Sequence, residues 1–258
     1  MKYTQIPKYK QEIFKEKTSK YCIVVPVINE GERIQIQLQK MKDISNDVDI
    51  IVADGGSTDN SLELDFLSNC NVRALLTKED TGKLSAQLRM AYKFALDEDY
   101  DGIMTIDGNG KDSINSIYGF IDKLEAGYDM IQGSRFVPGG AAINTPKIRH
   151  FAVKLIHIPA ISLMAGFKYT DTTNGYRGYS KKYLEHPEVE PFRKVFDTYE
   201  LLAYLSVKAP QLGLKTCEVP VTRTYPSDGK VPTKISSFSG NFSLIEILWN
   251  LALGKYNP

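Results

Sequence analysis

Short apolar runs alternate with amphipathic stretches through the first half of this chain, and that rhythm restricts its fold more than any other feature. Residues 21–27 are a β-branched, strand-like run, and Ile34, Leu38 and Met41 follow at helical spacing. Residues 50–53 give a second strand; Asp59 or Ser61 then reads as the cap of a helix carrying Leu62, Leu64 and Leu67. Residues 72–76 predict a third strand, before a helix marked by Leu84, Leu88, Ala91 and Ala95. Residues 103–106 form a fourth strand, Ile114, Ile117, Ile121 and Leu124 stripe the next helix, and residues 128–132 form a fifth strand. Strands that alternate with helices imply an α/β fold whose mostly parallel central sheet is covered on both faces.

Two of these strands end in acidic, glycine-bearing turns. One is Asp54-Gly55-Gly56-Ser57-Thr58-Asp59; the other is Asp107-Gly108-Asn109-Gly110-Lys111-Asp112. Open α/β sheets bind ligands beyond the carboxyl ends of their strands, so Asp54 and Asp107 are candidate ligand-facing residues. A single Asp-Gly turn is most often only a turn. The pair suits a nucleotide diphosphate with a divalent cation between oxygens. Neither the dinucleotide fingerprint G-x-G-x-x-G nor the P-loop pattern is present, which removes the main support for oxidoreductase and P-loop kinase readings.

Composition narrows the partners. With 32 basic against 31 acidic residues there is no global field for nucleic acid, so phosphate recognition has to be local. Cys22, Cys70 and Cys217 form no CxxC pair and read as reduced core thiols. The lysine-rich start lacks a secretory apolar region, and the longest apolar stretch, residues 151–167, is interrupted by Lys154, His157 and Pro159. These features lead us to expect a cytoplasmic protein. His150, His157 and His186 are too scattered for a zinc site and are expected in ordinary polar contacts.

After about residue 137 the rhythm changes. A loop at Pro138-Gly139-Gly140 leads to a helix near residues 149–165, then an irregular Thr/Asn/Gly segment, a helix around 199–208 and a strand around 217–225. The expected organisation is an N-terminal extension over 1–20, one domain over 21–240 and a C-terminal apolar helix over 241–258. That last segment carries Leu244, Leu248 and Leu251 in one stripe, beside Ile245 and Trp249. Docking onto the domain is one reading of it; peripheral contact with the inner face of a membrane is the other.

Read in order, seven segments resemble glycosyltransferase family 2, most closely its polyprenyl- or dolichyl-phosphate sugar transferase branch. Val25-Pro26-Val27-Ile28-Asn29-Glu30 is similar to the family's VPxxNE start, and Ala53 to Asp59 to its VDDGSxD turn, with Gly55 replacing the second acid. Thr81 to Ala86 resembles GKxxA, and Asp107-Gly108-Asn109 fills the DxD slot. Gly133 to Gly140 resembles GSRYxxGG, Asp171 to Tyr179 resembles DxTxGFRxY, and Tyr199-Glu200-Leu201-Leu202 resembles the later E-L-L helix. The resemblance implies a GT-A fold and an inverting transfer from a nucleotide-diphosphate sugar to a polyprenyl-phosphate or glycan acceptor, in surface glycan or glycolipid assembly. It also leaves room for a homo-oligomer.

Residue roles follow from that resemblance. Pro26, Val27, Asn29, Glu30, Asp54, Lys83 and Gly108 are the expected nucleotide-binding positions. Arg149 and Lys234 join them as expected phosphate contacts, with Lys230 beside Lys234 in a basic loop. Asp107 and Asn109 are the expected ligands of Mg²⁺ or Mn²⁺. Arg135 is expected to grip the acceptor phosphate. Asp171 and Glu200 are the carboxylates expected to serve if a base is needed, and Arg177 is either an active-site loop residue or a clamp on Asp171. Asn109 keeps an oxygen ligand but removes a charge, and Lys111 adds one of opposite sign, which together weaken a divalent cation. Lys111 either substitutes for part of the metal charge or points into solvent.

Two other functions compete. A sugar-1-phosphate nucleotidyltransferase shares the architecture, but calls for a glycine-rich loop where this chain has residues 26–33. A catalytically silent nucleotide-binding module is made plausible by Gly55 and Asn109. A haloacid-dehalogenase phosphatase is remote, because residues 107–111 do not meet its DxDx[TV] pattern.

Overall fold

The computed structural model describes residues 4–146, 151, 153–226 and 239–258, with only the backbone for 239–244. Among these, eight strands form one sheet: β1 (Tyr9–Ile13), β2 (Tyr21–Val27), β3 (Asp49–Asp54), β4 (Val72–Lys78), β5 (Gly102–Thr105), β6 (Met130–Ser134), β8 (Arg177–Ser180) and β9 (Thr216–Pro220). Their spatial order is β1-β4-β3-β2-β5-β8-β6-β9. A short parallel pair, β7 (Ala141–Ile143) with β10 (Thr222–Thr224), stands apart. Pairing is parallel through β4-β3-β2-β5 and again for β6-β9.

β2 is buried at all seven positions because both faces of the sheet are covered. Cys22 and Val24 point into one apolar layer with Leu88, Ala91 and Ala95 of α3 (Leu84–Asp97) and Leu201 and Leu205 of α7 (Glu200–Gln211). Ile23, Val25 and Val27 point into the other, with Ile34, Leu38 and Met41 of α1 (Glu32–Met41) and Phe120 and Leu124 of α4 (Ile117–Glu125). The period-2 alternation of a strand thus feeds two cores, which is why the run reads as continuously apolar.

Several expectations need correction. The sheet is mostly parallel as expected, and the segment around 176–179, for which the sequence predicts no element, is a strand, β8, antiparallel to both β5 and β6 and followed by the short helix α6 (Lys181–Leu184). The run around 217–225 is two strands, because the chain leaves β6 at Pro220 and passes to β7. Helix α2 (Leu64–Asn69) has no side-chain cap; Asp59 accepts instead from the Ser61 hydroxyl at 2.7 Å and the Gly31 amide at 2.8 Å. The helix near 149–165 comprises a π-helical turn, Val153–His157, followed by α5 (Ile158–Ala165). Before β2 the chain adds a strand to the sheet, since β1 pairs antiparallel with Ala74 to Lys78 on the outer edge of β4.

The C-terminal helix α8 (Ser239–Ala252) buries Ile247, Leu248 and Leu251 against the first core and leaves Ile245 and Trp249 exposed, with Leu253 exposed just beyond its end. Leu244 lies outside the described side chains. Among the described residues no helix is long and apolar enough to cross a membrane.

Asp49, fully buried at the start of β3, fastens the chain entering β2. It accepts from the Thr18 amide (3.0 Å) and hydroxyl (2.7 Å), the Ser19 amide (3.2 Å) and the Tyr100 hydroxyl (2.8 Å). Removing it strands the buried Tyr100 hydroxyl and three partly buried donors at once. Asp49→Ala is expected to lower the unfolding free energy by about 2–4 kcal/mol in urea denaturation, and Tyr100→Phe by about 1 kcal/mol.

Candidate active site

β2 is bonded to β3 on one side and to β5 on the other, so the turns leaving β3 and β5 flank its carboxyl end. Asp54 is the last residue of β3 and Asp107 follows β5 by two residues. Two glutamines outside the sequence motifs fix these turns from opposite faces of the sheet. Gln87 of α3 donates to the carbonyls of Val27 (2.8 Å) and Ala53 (2.9 Å). Gln37 of α1 donates to the Asp107 carbonyl (3.1 Å) and accepts from the Gly110 amide (2.7 Å).

Close approach sets the glycines here. A Cβ on Gly108 would stand 2.8 Å from the Pro26 carbonyl oxygen, so Gly108 packs on the buried Pro26-Val27 end of β2. A Cβ on Gly175 would lie 2.2 Å from Asp107 Oδ1, so any larger residue there would displace the Asp107 carboxylate.

On the β3 side, Asp54 Oδ1 accepts from the Ser57 amide (2.9 Å) and hydroxyl (2.7 Å). Asn29, at φ 47°, bridges the first two turns: its side-chain oxygen accepts from the Thr58 amide at 2.7 Å. Glu30 is paired with Arg33 at 2.8 Å. A cavity of about 260 Å³ opens beside Asp54, bordered by Ser57, Ser61, Leu75 and Thr77. Lys83 is exposed at the start of α3, its Nζ 5.8 Å from the centre of the Tyr199 ring.

On the β5 side stands a group the sequence reading missed. Arg223 of β10 donates from Nη2 to Asp107 Oδ2 at 2.9 Å and from Nη1 to Asp112 Oδ2. Burial raises the proton affinity of Asp107, but Arg223, with Lys111 and Asn109, outweighs it and holds the carboxyl below the usual carboxylate range. Burial pushes Asp112 up to about 6; the Asp107 charge adds to that rise and Arg223 opposes it. Asn174 donates to the other oxygen of Asp112 at 3.2 Å. Lys111 is buried, its Nζ 5.2 Å from the centre of the Tyr225 ring, which overturns the solvent-pointing alternative. A signal for Arg223 does exist in the sequence. Val219, Val221, Arg223 and Tyr225 alternate and are all buried, so a charge occupies an inward register and demands a buried partner.

Arg135 and Asp171 meet each other. Arg135 donates from Nε to Asp171 Oδ2 (2.6 Å) and from Nη2 to Oδ1 (2.9 Å) and to the Thr173 hydroxyl (2.9 Å). Both partners are buried. Both carboxylate oxygens of Asp171 accept from the guanidinium, so Asp171 orders Arg135. Arg177 does not clamp Asp171; it donates to the carbonyls of Thr172 (2.9 Å) and Asn174 (3.1 Å) and to Ser206 Oγ (2.8 Å), bracing the loop from behind. Glu200 accepts from the Thr198 amide at 2.8 Å and from its hydroxyl, at the start of α7. Arg149, Lys230 and Lys234 lie outside the described residues.

The donor set fits a divalent cation. Asn109 Oδ1 is buried with no hydrogen-bond partner among the described residues, beside the Asp107 carboxylate, with Nδ2 at 3.5 Å from Asp107 Oδ2. Asp107 and Asn109 would hold the ion, with diphosphate oxygens completing its shell as is usual for Mg²⁺. When bound, such an ion neutralises charge growing on a departing diphosphate. No cluster of three or more acidic, histidine or cysteine ligands occurs among the described residues.

Residues 22–186 match the model of the family described as Glycosyl transferase family 2. The chain belongs to that family. This glycosyltransferase is 27% identical over 210 residues to a polyprenol monophosphomannose synthase of Mycolicibacterium smegmatis, covering 80% of this chain and 78% of the relative. It is 24% identical to an undecaprenyl-phosphate mannosyltransferase of Micrococcus luteus, covering 77% and 81%. Among solved structures, glucosyl-3-phosphoglycerate synthase of Mycobacterium tuberculosis with UDP superposes at a TM-score of 0.65, with 14% identity over 91% of this chain and 79% of that one. A second structure of that synthase, holding Mn²⁺, UDP and phosphoglyceric acid, gives a TM-score of 0.61 at 15% identity, over 90% and 78%. The expected GT-A fold is thereby shown, and with it a nucleotide-sugar-dependent transferase.

Two outcomes test the site's buried charges. Asp171→Ala leaves the Arg135 guanidinium uncompensated and is expected to cost about 3–5 kcal/mol in urea denaturation, with the double change Arg135→Met and Asp171→Leu recovering much of it. His157 is bonded through Nδ1 to the Thr172 hydroxyl at 2.7 Å; burial, then the Arg177 charge, pushes its pKa down from 6.5 to about 4. Between those values the unfolded chain binds the proton and the folded one does not, so acid favours unfolding. Wild type is therefore expected to lose up to about 3 kcal/mol between pH 6.5 and 4 that His157→Gln does not lose, read from denaturation curves across pH.

Proposed function

We propose that this transferase moves a sugar, with inversion, from a nucleotide-diphosphate sugar to the phosphate of a polyprenyl-type lipid while resting on the inner face of a membrane. The observation that carries the reading is an apolar face next to the phosphate-gripping arginine. Phe151, Leu155, Ile156 and Leu163 are exposed on the segment that follows the Arg135 loop, and Leu163 is 85% exposed. Packed against α5, helix α8 exposes Ile245 and Trp249 four residues apart, and Leu253 just past its end is exposed as well, a second apolar patch. Lys154 reaches back from this face, its Nζ 4.7 Å from the centre of the Phe136 ring, which the Arg135 guanidinium covers at 5.2 Å. A lipid tail on that face leaves its phosphate near Arg135.

The state of the acids agrees with such an acceptor. A hydroxyl acceptor needs a base, whereas a phosphate is already ionised. Asp171 is tied to Arg135 and Glu200 to Thr198, an arrangement that suits attack by a group needing no deprotonation. On the donor side, Asp54 and the neighbouring cavity suit the base and ribose, while Asp107, Asn109, Lys111 and Arg223 suit the diphosphate. The names of the two mannosyl-transferring relatives support the lipid-phosphate acceptor.

A thermal-shift panel of UDP, GDP, CMP and dTDP, each with and without Mn²⁺, identifies the donor base. One nucleotide at a hundredfold excess over its Kd is expected to add about 2.7 kcal/mol of stability, a rise of several degrees in Tm. With the matching sugar nucleotide, transfer to a polyprenyl phosphate in vesicles is expected to fall at least about tenfold in the double variant Leu163→Ser and Trp249→Ser. Transfer to a short, water-soluble prenyl phosphate is expected to stay unchanged. No transfer to any prenyl phosphate from a donor that binds would overturn the acceptor assignment.

A further inference from the structure

Asp107 is the acid that would hold a metal ion at this site, and its carboxylate already has a cation. The Arg223 fork spans Asp107 at 2.9 Å and Asp112, with Lys111 buried alongside. Two carboxylates face two basic side chains, so this corner is neutral before any ligand arrives. Asn109 in place of a second acid removes the surplus negative charge that draws a divalent ion unaided. Arg223 is held in position by the backbone: β10 pairs it with Ala142 of β7, and a bridge joins it to Asp112. It sits on an inward register between Val221 and Tyr225, where it has no path to solvent comparable to a surface arginine's.

We infer that Arg223 is an internal counter-cation of Asp107 that excludes a divalent ion until a nucleoside diphosphate arrives with it. A bare ion approaching Asp107 meets a guanidinium at hydrogen-bond distance from the same oxygen, and like charges at that range repel strongly in a buried setting. A diphosphate changes the balance by bringing negative oxygens that Arg223 and Lys111 can engage. Asp107 is then released to the ion, and Asn109 Oδ1, the unpartnered oxygen beside it, completes the protein's share of the shell. Metal binding thus becomes conditional on the donor, and the ion has little hold once the diphosphate leaves. The nucleotide half of this inference rests on the transferase reading above; the competition between Arg223 and the ion does not.

The test is Mn²⁺ binding followed by electron paramagnetic resonance on the whole protein, without nucleotide and then with UDP or GDP. Wild type is expected to bind Mn²⁺ alone at least about tenfold more weakly than Arg223→Gln, and to gain at least about tenfold when the nucleotide is added. Arg223→Lys, which keeps the charge, is expected to remain as weak as wild type. The double variant Arg223→Gln and Asp107→Asn is expected to lose what Arg223→Gln gained. A purely structural role for Arg223 predicts the opposite sign, because damage to the site lowers metal affinity. Equal Mn²⁺ affinity in wild type and Arg223→Gln would overturn the inference. So would wild-type protein that holds Mn²⁺ as tightly without nucleotide as with it, a comparison that needs no variant. Failure of every nucleotide to bind, with the metal-alone difference intact, would count against the transferase reading and not against the competition.

Discussion

Everything at the site depends on one backbone arrangement, the parallel pairing of β2 with β3 and with β5. Parallel ladders align strand ends of the same polarity, so the turns after β3 and β5 emerge together around the end of β2. Aspartates in those turns are neighbours because of the ladder rather than through contact with each other. Gln87 and Gln37 then donate to carbonyls at and just beyond the strand ends from the two helix layers, which keeps the turns in register with the sheet. The close packing of Gly108 on Pro26 and of Gly175 on Asp107 leaves the edge little room to rearrange.

On that rigid edge the charges are arranged in complementary sets. Asp171 orders Arg135, and Glu218 holds the loop that carries Asp171 by accepting from the amides of Thr170 (2.9 Å) and Asp171 (3.0 Å). Asp107 and Asp112 share Arg223 in the same way. Buried ion pairs stabilise little after desolvation, yet removing one partner is costly. Their value here is geometric: each fixes a guanidinium or a carboxylate in one orientation at the strand-end edge.

The layout gives the two sides of the site different characters. The β3 side is a polar cavity on a rigid turn, suited to a small and constant group such as a nucleoside. The other side runs from Arg135 through Phe136 and Lys154 to exposed apolar residues of α5 and α8, suited to an acceptor that is charged at one end and greasy at the other.

Sequence alone determined the alternation of strands and helices, the two strand-end aspartates and the family, because each of these is written in contiguous residues whose period and turn chemistry are local. It also carried the inward register of Arg223, though a charge in a strand gains meaning only once its partner is known. Tertiary structure decided the rest. That β8 enters the sheet antiparallel, that Asp171 pairs with Arg135, and that Lys111 is buried could not be read from spacing. Arg223 reaches Asp107 across 116 residues of chain, through a strand that pairs with β7 and not with its sequence neighbour β9. Such contacts are set by how layers pack and which strands share an edge, and no local pattern encodes that choice.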